Sequence, residues 1–411
     1  MVVSDNSKPR NLKLVMAEGI LANFTLGFLF IWTVMRNPFL KMFPTWTEGM
    51  LSLIFGLHNL FICLAIIAGG KLAVKYSGRF VFKLFVILSV IGLCGFAFLP
   101  ENNPTVAYAM AFVLFCVFAA TGMGFGLSAV QSHTIPWFPE KSGMISGLCY
   151  MMLGLSSVIL SFLSGFILPV LGPKMTMCVF GLIVLVVGVV ILLDKQSITL
   201  PKVEKKYVSN EELTGFTPRE MLKSPMFWFF LIWNLGTRAS GLIMLDHVAS
   251  LSVAYGGITI VGMLISPCNG LGCITLGTTL DKIGTKKVMF ITSLVMLFGG
   301  GLLVTGHFMN CFPVILVGIL LVGFAYGGSN STYPASIQNH FGLKHYSENF
   351  GLANLSIGIA SLIESFSGNI LDSFNGNYLS IMIMMISVTI PSLLCAALYF
   401  VYSKKKGIKN N

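Results

Sequence analysis

Four charged side chains interrupt long apolar runs of this chain: Glu18, Arg238, Asp246 and Glu364. A charge at bilayer depth costs a few kcal/mol, and it is retained where it binds an ion, moves a proton or pairs with another charge. Arg238 lies about 13 residues into its run, about 20 Å along a helix, at or just past the middle of a ~30 Å hydrocarbon core. There it either binds an anion or forms a structural pair with an acid or with helix carbonyls. Glu364, toward the far half of a later run, either pairs with Arg238 or carries a proton. Glu18 is nearer the start of the first run, where helix packing, a gate contact and proton coupling all suit it. Asp246 and His247 fall close to the end of their run, a place for solvated groups.

Neutral polar groups accompany these charges. Asn234 precedes Arg238 by one helical turn on the same face. His58 and Asn59 are in the middle of the second run, Tyr150 is in the fifth and Asn269 in the eighth, while Tyr326, Asn330 and Tyr333 descend the tenth. Such side chains either orient a polar solute or hydrogen-bond one helix to another. Phe30 and Trp32 either wall a cavity or face lipid. The solute-binding candidates are therefore Arg238, Asn234, Asn269, Tyr326, His58, Tyr150 and Trp32, with Glu364 and Glu18 as proton-coupling candidates. The nine cysteines lie almost entirely within apolar runs and show no metal-ligand spacing, so they read as packing residues. No nucleotide motif, catalytic triad or metal constellation occurs, so neither an enzyme nor a cofactor is expected.

The elements that must position these groups are helices in a membrane. Of 411 residues, 55% are hydrophobic and 10% charged, against about 25% charged in a soluble domain. A spanning helix needs about 20 mostly apolar residues. Twelve such runs are present, near 12–34, 48–69, 81–99, 105–129, 143–168, 174–193, 225–250, 258–279, 287–307, 312–336, 349–370 and 378–402. The first is long enough to span and has no small-residue cleavage site, so it reads as a helix rather than a leader. All but four of the 26 lysines and arginines (Arg36, Lys41, Lys174 and Arg238) fall on one side of these spans. By the positive-inside rule, both termini are expected in the cytoplasm. The net charge of +11 is then a topology signal with contacts to anionic lipid, and no nucleic-acid partner is expected.

The only long polar stretch, 195–224, divides the chain into an N-terminal six-helix bundle (1–194) and a C-terminal one (225–411). The halves echo each other. Phe138, Lys141, Gly147 and Gly154 in one are matched by Phe341, Lys344, Gly351 and Gly358 in the other. Two like halves are what alternating-access carriers use, with the solute between them near the midplane.

The loop Gly277-Thr-Thr-Leu-Asp281-Lys282-Ile-Gly284-Thr-Lys286-Lys287 combines an acid, a tight turn and a basic cluster, which suits a cytoplasmic gate built on Asp281, Lys282, Gly284 and Lys287. It resembles the loop signature of the major facilitator superfamily. The matching loop, Gly70-Lys-Leu-Ala-Val74-Lys75-Tyr-Ser-Gly78-Arg79, has Val74 where that family has an acid. Trp137-Phe-Pro-Glu-Lys-Ser-Gly-Met-Ile-Ser-Gly147 and Thr217-Pro-Arg-Glu-Met-Leu-Lys-Ser-Pro-Met-Phe-Trp228 are similar to the entries of helices 5 and 7 in the oxalate:formate antiporter family. Gly27-Phe-Leu-Phe-Ile-Trp32, Asn269-Gly-Leu-Gly272, Phe341-Gly-Leu-Lys344 and Asn349-Phe-Gly-Leu352 extend the resemblance over nearly the whole chain.

The resemblance implies an all-α fold of twelve transmembrane helices in two pseudo-symmetric six-helix bundles, with helices 1, 4, 7 and 10 lining the cavity. It also marks two departures. Oxalate exchangers of that family carry an Arg after the Asn-Gly-Leu-Gly stretch and a Lys in helix 11, where this chain has Cys273 and Ile357. With both cations gone, a monocarboxylate is expected in place of oxalate, moved by proton symport or anion exchange. The competing readings are a carrier of a neutral or cationic metabolite or drug, with Arg238 paired to Glu364, and a membrane sensor that transports nothing. The expected partners are a small organic anion, protons where transport is coupled, and the lipid of the cell membrane or an organellar one. A monomer is expected.

Overall fold

A computed structural model of the chain describes residues 11–27, 32–199, 215–257 and 264–405. Among these residues sixteen α-helices follow one another and no strand occurs. The first seven are α1 (Leu12–Leu26), α2 (Trp32–Met42), α3 (Glu48–Lys75), α4 (Gly78–Cys94), α5 (Pro104–Phe112), α6 (Ala120–Thr134) and α7 (Ser142–Leu193). After the linker come α8 (Pro218–Lys223), α9 (Pro225–Ala254), α10 (Ile265–Ile283), α11 (Thr285–Met309) and α12 (Phe312–Phe341). The last four are α13 (Tyr346–Ala353), α14 (Leu355–Ser365), α15 (Ser367–Ser373) and α16 (Leu379–Lys405). Nine helices among the described residues are long and apolar enough to cross a membrane. The helices that carry Arg238 and Asn269 (α9 and α10) are not among them, because their polar side chains dilute the apolar run.

Local chemistry sets the breaks. Thr47 and Ser77 accept hydrogen bonds from the Met50 and Phe80 amides and so start α3 and α4. Gly284 and Gly342, at φ 82° and 79°, turn the chain out of α10 and α12. Gly172, at φ 72° between Pro169 and Pro173, breaks α7 into the fifth and sixth expected spans. A π-helical segment, Val113–Ala119, joins α5 to α6. Several expected spans come out differently, the first of them falling in α1 and α2 and running on to Met42. The second helix runs on to Lys75 and the tenth to Phe341, both past their apolar cores. The eleventh begins at Tyr346 and is divided at Asn354 and Phe366. Membrane helices project beyond the hydrocarbon, and apolarity does not mark where they stop.

Of the expected linker, residues 200–214 lie outside the described residues, as does Phe30. The linker's far end is tied down. Phe216 donates its amide to the Phe341 carbonyl at 2.9 Å and accepts from the Asn349 side chain at 2.8 Å. A capping box between Thr217 and Glu220 starts α8. The hydrogen bonds from Thr217 hold the exposed Glu220 carboxyl below its usual range. The end of the bundle where this segment attaches, and where α3 turns into α4 and α10 into α11, is the linker end below.

The halves meet along two seams with equivalent contacts. On one, a Cβ at Gly147 would stand 2.4 Å from the Cys273 carbonyl oxygen of α10, and Gly154 faces the Asn269 side chain. On the other, Gly351 lies against the Ile66 carbonyl of α3 and Gly358 against the Cys63 side chain. The glycines that repeat between the two halves of the sequence are the ones that let these helices touch.

Candidate functional site

Arg238 projects from the middle of α9 and is 5% exposed. Its Nε and Nη2 atoms are fully buried and have no hydrogen-bond partner among the described residues. No acidic side chain among the described residues comes within salt-bridge distance of it. A buried guanidinium without an acceptor is costly, and water or a ligand can supply the missing oxygens.

The groups around this cation come from both halves. The Tyr150 hydroxyl of α7 faces the guanidinium, and Tyr326 and Tyr333 of α12 and Cys273 of α10 lie within its electrostatic reach. Tyr326 packs against Gly241 of α9, where an added Cβ would come within 2.0 Å of the ring. Asn330, one turn further along α12, keeps a buried Oδ1 without a partner. The Cys273 thiol is turned to the Gly327 carbonyl at 3.1 Å. Arg238 thus stands with tyrosine hydroxyls and the Cys273 thiol at the middle of the seam.

The other expected site residues divide. Asn269 is half-buried on the same seam and accepts from the Cys273 thiol at 3.4 Å. Asn234 is fully buried and already engaged: its Oδ1 accepts from Ser356 at 2.7 Å and its Nδ2 reaches the Ser329 carbonyl at 3.5 Å. It braces α9 against α12 and α14. Trp32 and His58 belong to an aromatic stack on Phe115, with ring centroids 4.6 Å and 4.1 Å away. The indole N–H of Trp32 is spent on the Leu51 carbonyl, and His58 Nδ1 sits 3.1 Å from the Phe115 carbonyl. These partners are core groups of the first half rather than Arg238, and His58 Nε2 is buried without a partner among the described residues. Glu18 is buried near the linker end of α1, where the helix packs closely on Thr134 through Gly19.

At the linker end, Asp281 spans the seam. Its two carboxylate oxygens accept the Gly143 and Met144 amides at 2.8 Å each, capping the first turn of α7 from the other half. Gly143 and Gly277 touch backbone to backbone, since a Cβ on either would come within 2.3 Å of the other's carbonyl oxygen. Burial pushes the Asp281 carboxyl upward, while the two amides and Lys141 pull it back. On the second seam a Cβ at Gly70 would stand 2.4 Å from the Ser347 carbonyl oxygen, but its loop offers only the exposed Val74 where Asp281 would correspond. The clasp is one-sided.

At the opposite end a charged group also joins the halves. Arg36 of α2 is 3.9 Å from the Asp246 carboxylate of α9, and His247 is 3.7 Å from the same carboxylate and 2.8 Å from Ser367. Glu364 of α14, 6% exposed, faces Asp246 and Arg36. Of the two roles the sequence left open to Glu364, pairing with Arg238 is not what the structure shows, and Asp246, exposed at its helix end as expected, also meets Arg36 and Glu364. Arg36 carried no signal in the sequence, because a cation at a helix end is ordinary there.

A bundle of membrane-length helices, clasped at one end across a seam that holds a buried cation, is the architecture of a solute carrier. The family model described as Major Facilitator Superfamily matches residues 19–365, and the chain belongs to that superfamily. It is a multi-pass integral membrane protein with the fold of a transporter. Over 370 residues it is 26% identical to the uncharacterized MFS-type transporter YhjX of Escherichia coli (strain K12), covering 88% of each chain. Over 255 residues it is 27% identical to the oxalate:formate antiporter of Oxalobacter formigenes, covering 58% of each. In structure it is similar to the proton:xylose symporter XylE bound to 6-bromo-6-deoxy-D-glucose, with a TM-score of 0.74, 12% identity and 95% of each chain covered. It is also similar to the transporter FucP in the outward conformation, with a TM-score of 0.72 and 14% identity, covering 95% of this chain and 99% of the other.

Proposed function

We propose that this carrier moves a small organic anion, a monocarboxylate, by alternating access. The observation that carries the reading is Arg238: a buried guanidinium at the seam between the halves, with two nitrogens unmatched and no acid beside it among the described residues. A carboxylate fits the guanidinium fork in the bidentate mode and supplies the missing acceptors. The Tyr150 and Tyr326 hydroxyls and the Asn269 and Asn330 amides surround that carboxylate and its substituents. One cation in the site matches one negative charge. This favours a monoanion over oxalate, although the relative from Oxalobacter formigenes is named for both oxalate and formate. The alternative of a neutral or cationic cargo needs an internal counter-ion for Arg238, and Glu364 faces other groups.

In this reading the units are 1–194 and 225–411, the linker end faces the cytoplasm, the protein works as a monomer in the cell membrane, and Asp281 closes the inner gate. Purified protein in liposomes takes up labelled monocarboxylates, and Arg238→Ala lowers affinity for them by at least about thirtyfold, the loss of about 2–5 kcal/mol that follows removal of one partner of a buried charge pair. Uptake that survives the substitution overturns the assignment.

A further inference from the structure

Two of the cysteines meet at the end of the bundle opposite the linker. Cys94 is the last residue of α4, about 24 Å of helical rise from the linker end. Cys178 is one turn beyond Lys174, in the part of α7 that follows the break at Gly172. The two side chains lie within hydrogen-bonding reach of each other, and the Cys94 thiol also reaches the Cys178 carbonyl at 3.5 Å. Gly181, one turn further along α7, makes the approach close. A Cβ there would stand 2.7 Å from Cys94 Sγ and 3.2 Å from the Cys94 amide nitrogen. A crossing this tight brings facing cysteines toward the separation a disulfide needs, about 4.4–6.8 Å between Cα atoms. Both thiols are half-buried rather than enclosed. Water is near: Lys174 holds the Leu99 carbonyl at 2.7 Å and the exposed Glu101 carboxylate at 3.0 Å, so the polar boundary runs one turn from Cys178.

We propose that Cys94 and Cys178 are an oxidisable pair that forms a disulfide on the outer side of the membrane, stapling α4 to the last part of α7. In the orientation expected from the basic residues, this end of the bundle faces away from the cytoplasm, where disulfides form and persist. The co-reactant is itself a disulfide. One thiolate of the pair attacks a sulfur of that co-reactant, breaking its S–S bond and releasing one thiol. The second thiolate then attacks the mixed disulfide, forms the Cys94–Cys178 bond and releases the other thiol. The pair gives up two protons and two electrons, and the co-reactant becomes two thiols. Both helices belong to the first half, so the staple fixes that half internally and leaves the seams with the second half free to part. The joined residues are 84 apart in sequence, and closing so long a loop disfavours the unfolded chain.

Aerobically grown cells expressing the full chain are treated with N-ethylmaleimide before lysis, and the protein is denatured in the same reagent so that every free thiol is blocked. It is then reduced and labelled with a heavy maleimide–polyethylene glycol. Reduction uncovers a pair of thiols in the wild-type protein and none in Cys94→Ser or Cys178→Ser. Mass spectrometry of the unreduced digest finds the peptides of Cys94 and Cys178 joined to each other. Reduced wild-type protein in lipid nanodiscs re-forms the bond with oxidised glutathione. Dithiothreitol lowers the melting temperature of the oxidised wild type and leaves that of both serine variants unchanged. Cys178→Ala, whose methyl group keeps the apolar packing, repeats the result of Cys178→Ser, which separates loss of the bond from a fault in folding. Orientation is read independently, from tags on the termini. Free thiols at both positions in the cells, no bond with oxidised glutathione, or a bond that joins other cysteines overturns the proposal.

Discussion

At the scale of single residues, Arg238 and Asn234 show how a shared helix face conceals opposite roles. They are one turn apart on α9, yet Asn234 has both ends of its amide engaged while Arg238 has two N–H groups unmatched. Arg238→Lys keeps the charge but removes the fork, and an ammonium cannot make the paired contact. It is expected to transport with weakened affinity, between wild type and Arg238→Ala, measured as the KM for labelled anion. Asn234→Ala removes the side-chain link between α9 and α14, leaving the Ser356 hydroxyl only the Ala353 carbonyl at 3.2 Å, at a cost of about 0.5–1.5 kcal/mol. It should lower the melting temperature in detergent with little change in KM for the protein that remains folded. A large KM change at unaltered stability would instead move Asn234 into the site.

At the scale of elements, transport depends on helices that touch and part. α7 and α10 meet through Gly143 and Gly277 with carbonyl oxygens where side chains would be. Gly143→Val therefore holds this end apart. Labels at Glu140 and Lys282 should lie farther apart than in wild type, and uptake should fall. Asp281→Ala removes the acceptor for two amides of α7 and costs the clasped state about 0.5–2 kcal/mol, which shifts the same distance in the same direction by a smaller amount. The clasp also has a pH sense. Because burial raises the proton affinity of Asp281 above that of a solvated aspartate, the clasped state is the one that gains from protonation, and mild acid at the linker end favours it. The Glu140–Lys282 distance in nanodiscs shortens as pH falls, and the dependence vanishes in Asp281→Ala.

At the scale of the whole molecule, charge asymmetry and the repeated glycines were legible without coordinates. The basic residues predict that a protease tag on either terminus of the expressed protein is cleaved only after cells are opened. Cleavage on intact cells would reverse the orientation. The Gly147 and Gly351 pair, matched in sequence, turns out to lie on matching seams, because a close helix crossing demands a small residue wherever it recurs. Apolar length and charge placement act locally along the chain, so the sequence by itself determined the membrane helices, the superfamily and the presence of a few costly charges. Which partner each charge meets depends on helices hundreds of residues apart. Only the tertiary structure decided that Arg238 stands without an acid among the described residues, that Glu364 faces Asp246 and Arg36, and that Trp32 and His58 stack on Phe115.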